Sequence, residues 1–70
     1  MNPPEPDALE RLVRDIREHG VVITRRLLTD KAWLLTLRDG ERTTDIVSAH
    51  LKRDDRVPHL REQWLAWGAA

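Results

Sequence analysis

His50 and Asp54 stand one helical turn apart, with His59 five residues further on, and imidazole and carboxylate are donors that a zinc ion accepts. A metal centre needs three or four such ligands brought to one point. Neither the CxxC nor the HExxH spacing that supplies them locally is present, and side chains of these types recur by chance on polar surfaces, so the pattern predicts no metal site. Ser48 is the sole serine. No nucleophile elbow, glycine-rich loop or acid–base pair surrounds it. Asp39-Gly40 reads as a turn, and three glycines in the whole chain leave no phosphate cradle. A domain this short has little room for a substrate pocket of several hundred Å³. The residues therefore predict no catalytic group, no cofactor and no enzyme.

A second set of side chains suits nucleic acid. Arg53, Arg56, His59, Arg61 and Gln63 would decorate two helices, expected over 44–53 and 58–67, whose span is that of a helix-turn-helix. Arg and Gln can pair bidentately with guanine and adenine edges in a major groove. Against this, Asp54 and Asp55 in the link would repel phosphates, no glycine marks the turn, and Pro58 falls within the would-be recognition helix. Sequence-specific DNA binding through 44–67 is the alternative reading.

The third set is apolar. Leu60, Trp64 and Trp67 recur three and four apart, which stacks them in one helical stripe, and Leu65 broadens that face. A Trp hides roughly 150–250 Å² when covered, about 4–6 kcal/mol of gross burial at 25 cal/mol per Å². Such a stripe can close the protein's own core, or it can form an interface, where Trp is enriched among the residues that carry binding energy. Both uses remain open on sequence grounds, and Leu60, Trp64, Leu65 and Trp67 are the candidate interface residues.

Composition narrows the field. Seventy residues make one domain with a thin core, and the absence of Cys excludes disulfides and zinc knuckles as a brace. With no Phe or Tyr, Trp33, Trp64 and Trp67 are the only aromatic carbocycles, so aliphatic side chains fill the core. Twelve basic and twelve acidic side chains cancel, which leaves no long-range field to hold a polyanion or an anionic membrane surface. No apolar run has the length of a membrane span, and Met1-Asn2-Pro3-Pro4-Glu5-Pro6 lacks the basic and apolar regions of a signal peptide. The expectation is a soluble, cytoplasmic protein.

The elements that must position these side chains follow from pattern. Three prolines in residues 1–6 predict a disordered lead-in, with a single domain over 7–70. Asp7 and Glu10 have capping-box spacing, Leu9, Leu12, Val13 and Ile16 share one helical face, and Gly20 supplies the stop. Val21-Val22-Ile23-Thr24 is β-branched throughout and favours a strand. Thr29-Asp30-Lys31 reads as a turn, and Trp33, Leu35 and Leu37 alternate on one face of a second strand, giving a β-hairpin over 21–38. A helix through 24–38 is the rival. Residues 41–44 extend the sheet briefly, or Thr44 caps a helix with Ile46, Val47 and Leu51 facing inward.

The fold class expected is α+β: an N-terminal helix, a hairpin and two short C-terminal helices, with an all-α bundle as the alternative. Its inner layer is Leu9, Leu12, Val13, Ile16, Ile23, Trp33, Leu35, Leu37, Val47, Leu51, Leu60 and Trp64. The function expected is a small bacterial or phage regulatory or adaptor protein that binds another protein, or a second copy of itself as a homodimer.

Overall fold

The computed structural model describes residues 5–28, 32–48 and 51–69. Element order is α1 (Glu5–Glu18), β1 (Val22–Leu27), β2 (Trp33–Asp39), β3 (Arg42–Val47) and α2 (Arg53–Ala69). The strands form one antiparallel meander, β1-β2-β3, with α1 on β1, α2 on β3 and the helices packed on each other. The chain is thus a mixed α+β domain with two helices, not three, among the described residues. The all-α alternative and the rival helix through 24–38 do not form.

α1 opens at Glu5, two residues ahead of Asp7. Pro6 fits there because a first-turn N–H has no intrahelical acceptor. Leu9, Leu12, Val13 and Ile16 are all buried. Gly20 ends the helix with φ of 81°, its N–H donating to the Arg17 carbonyl (2.9 Å) and that of His19 to the Ile16 carbonyl (3.1 Å). A Cβ at Gly20 would meet nothing within 4 Å. Gly20→Ala is accordingly expected to cost about 1–2 kcal/mol, the backbone penalty of a left-handed residue alone, measured as a shift in the urea midpoint.

β1 and β2 make the expected hairpin, with Ile23 opposite Leu37 and Arg25 opposite Leu35. Its turn at 29–31 lies outside the described residues. The helix expected over 44–53 is a correction: Arg42–Val47 is a third strand, with Ile46 opposite Leu35 and Thr44 opposite Leu37. Four of its six residues are β-branched, a composition that suits a pleated surface better than a helix. Thr36 Oγ1 donates to Asp45 Oδ1 across the register (2.8 Å), so Asp45 serves a cross-strand pair and not a helix start. The strand's period of two turns Ile46 into the core and leaves Val47 half-buried on the opposite face.

α2 begins at Arg53, five residues before the expected start at Pro58. Asp54 and Asp55 lie in its first turn, where the helix dipole favours negative charge. Pro58 withdraws a single donor, the one the Asp54 carbonyl would have received. The core joins Leu9, Leu12, Val13 and Ile16 to Val21, Ile23, Leu35, Leu37, Ile46, Val57, Leu60 and Trp64, with Trp33 and Trp67 packed at its margin. Of the expected inner layer, Val47 and Leu51 fall outside this cluster and Trp33 is only partly buried against it.

Ser48 is fully buried. Its hydroxyl accepts the Trp33 N–H at 2.8 Å, and its own N–H donates to the Trp33 carbonyl at 3.0 Å, which closes the β2–β3 ladder beyond Val47. Ser48→Ala removes a buried acceptor and is expected to cost about 1–3 kcal/mol in urea unfolding.

Candidate functional site

α2 distributes the candidate interface residues over two environments. Leu60 is 0% exposed and Trp64 8%, so both close the protein's own core and neither is available to a partner. Leu65, at 59% exposure, faces out, and Trp67 is half-buried. The apolar face that remains is Leu65 with the outer part of Trp67.

These two border a cleft of about 510 Å³ between the C-terminal ends of α1 and α2, lined also by Asp15, His19, Val21, Asp39, Arg42 and Arg61. Its walls are braced. His19 Nδ1 donates to the Asp15 carbonyl (2.7 Å) while its ring meets Trp64 edge-on, centroids 5.5 Å apart at 69°. Trp64 and Trp67 lie 6.0 Å apart and tilted. Arg42 places its guanidinium 4.7 Å from the Trp67 ring centroid and donates to the Trp67 carbonyl (2.9 Å), which holds the end of α2 against the β2–β3 turn. Arg61 donates to Asp15 Oδ2 at 3.1 Å, tying α2 to α1.

Arg42 and His19 were not legible as site residues. Arg42 lies 25 residues before Trp67, and nothing in local spacing links them. His19 suits a helix C-terminus as a cation, and its contact with Trp64 spans 45 positions, which no periodicity reveals.

Of the nucleic-acid candidates on α2, Arg56, His59 and Gln63 recur three and four apart on one side, and Arg61 stands off it. His59 and Arg61, two positions apart, point about 160° from each other on a helix of 3.6 residues per turn. Arg61 is held by Asp15. Arg56 donates to the Leu51 carbonyl (3.2 Å), and His59 stands 3.9 Å from Glu62. Gln63 is taken up by β3: its Nε2 donates to the Val47 carbonyl (2.6 Å) and to the His59 carbonyl (3.2 Å), and its Oε1 accepts the Val47 N–H (3.2 Å). Arg53 is exposed, beside exposed Asp54 and Asp55. Since 42–47 is a strand, the helix pair itself is absent.

His50 lies outside the described residues. Among the described residues no three His, Asp or Glu side chains gather as metal ligands, and no helix is long and apolar enough to cross a membrane. Comparison with protein-family models, curated proteins and solved structures finds no match to this chain.

Proposed function

We propose that this chain is a non-enzymatic docking module, a small cytoplasmic regulatory or adaptor protein of the bacterial or phage kind, that binds another polypeptide at the end of α2. The observation that supports this is the position of Leu65: it stands 59% exposed at the rim of a cleft that also holds Trp67, although Leu60 and Trp64 already complete the core beneath it. An apolar residue that the fold does not need, beside an aromatic ring fixed by Arg42, has the makeup of a small interface centre, where a few rigid anchors carry most of the binding energy.

Leu65→Asp tests the reading. The side chain is exposed, so stability should move by no more than about 0.5 kcal/mol, whereas loss of an anchor worth 2 kcal/mol or more weakens binding by roughly 30-fold. The measurement pairs light scattering, which reports self-association, with quantitative cross-linking in a native extract, which reports other partners. Equal mass and equal cross-linked products for the variant and the unaltered chain would remove Leu65 as an anchor.

A further inference from the structure

The two edges of the sheet are treated differently. In an antiparallel ladder, alternate residue pairs exchange hydrogen bonds, so one bond at the end of a ladder fixes the phase of each strand. Ser48 N–H donates to the Trp33 carbonyl, one step beyond the Leu34–Val47 pair; Val47, Asp45 and Thr43 therefore turn their backbone groups away from β2. Gln63 meets both groups of Val47 with its carboxamide, so α2 caps the Val47 end of that edge. On the other side, Leu28 N–H donates to the Ala32 carbonyl, one step beyond Leu27–Trp33, so Ile23, Arg25 and Leu27 point their N–H and C=O groups outward from β1. Nothing among the described residues pairs with them.

The same strand carries two of the three large apolar side chains that stand exposed among the described residues, Val22 at 64% and Leu27 at 55%. Arg25 is engaged by Glu10 of α1. Arg26, exposed on the helix-free face of the sheet, has no carboxylate partner among the described residues.

A second copy does not fit this edge. Packed helix axes stand about 8–10 Å apart and neighbouring strands about 4.8 Å, so two helices over three strands put the α1 axis roughly above β1. Antiparallel pairing of β1 with its own copy has a two-fold axis perpendicular to the sheet, which places the second α1 on the same face only about 5 Å from the first, half the separation helices require. The occupant must be an extended segment that brings no helix layer with it.

We infer that the free edge of β1 accepts an extended peptide as a fourth strand, with acidic side chains at the positions facing Arg26 on the open face and apolar ones at the alternate positions beside Leu27. Backbone bonds to Ile23, Arg25 and Leu27 supply affinity, and the alternation of side chains supplies selection. This surface adjoins the Leu65 cleft only at Val21 and uses neither Leu65 nor Trp67, so either can fail without the other.

The probe is a capped hexapeptide of alternating valine and glutamate, titrated into the 15N-labelled full chain. At saturation, amide exchange at Ile23, Arg25 and Leu27 slows, while Thr43 and Asp45 on the opposite edge are unaffected. N-methylation of one alternate set of peptide nitrogens abolishes binding and of the other set does not, because only one set faces β1. Arg26→Glu weakens this peptide roughly three- to tenfold, as removal and reversal of an exposed ion pair should, and strengthens a valine–lysine peptide. Two results would overturn the proposal: no change at the three β1 amides at millimolar peptide, or protection of those amides in the free protein together with a dimeric mass, which would mean self-pairing.

Discussion

Replacing Trp64 with alanine is expected to bring the domain to the edge of unfolding. Removal of a buried Trp costs about 3–5 kcal/mol, and a seventy-residue chain at 0.05–0.15 kcal/mol per residue has about 3.5–10 kcal/mol in total. Trp64 touches the domain on several sides: it packs in the main core, stacks edge-on with His19 at the end of α1 and backs Trp67. Urea denaturation followed by far-ultraviolet circular dichroism gives the measurement, with loss of most of the native baseline expected at 25 °C. A cost below about 1.5 kcal/mol would show that this indole is not the closure of the core. Trp67→Ala provides the contrast, since that ring is only half-buried and its loss should leave a cooperative transition.

The second large effect is expected at Gln63. In Gln63→Glu the carboxylate can still accept the Val47 N–H but cannot donate to the Val47 and His59 carbonyls that Nε2 now satisfies, and it faces those oxygens with like polarity. About 2–3 kcal/mol should be lost at neutral pH. The sign with pH is fixed by linkage: those carbonyls raise the folded-state pKa of the introduced carboxyl above its unfolded value near 4.3. The variant is therefore least impaired below about pH 4, where the protonated acid donates again, and its deficit grows as pH rises through the folded pKa. A deficit that does not change between pH 3 and pH 7 would mean that the carboxamide donors contribute nothing at this edge.

How far the fold could be read depended on how far apart the deciding residues lie. α1 was legible because four apolar positions at helical spacing and a terminal glycine are local signals, and the hairpin followed from β-branched and alternating runs. β3 was the failure. The β-branched composition of 42–47 favours a strand, but Thr44-Asp45 also has the makeup of a helix start; Thr36, Leu35 and Leu37 across the register settle it, and no window around Thr44 contains them. α2 was longer than expected because a proline in the first turns of a helix removes only one bond, which the rest of the packed face outweighs. In the site, the stripe of Leu60 and Trp64 was correctly placed on a helix and correctly apolar, yet whether it met its own core could be learned only from the position of α1 and His19. Gln63 shows the reverse error: its residue type suggested a reader of bases, and a strand edge in the same chain uses it up.

That carboxamide has a consequence for assembly. A meander with two receptive flanks can join its neighbours head to tail without limit, the route by which heterologous contacts that do not close build filaments. Here a side chain from the last helix fills the Val47 end of one flank, which shortens the ladder that head-to-tail growth would need to the Asp45 and Thr43 groups.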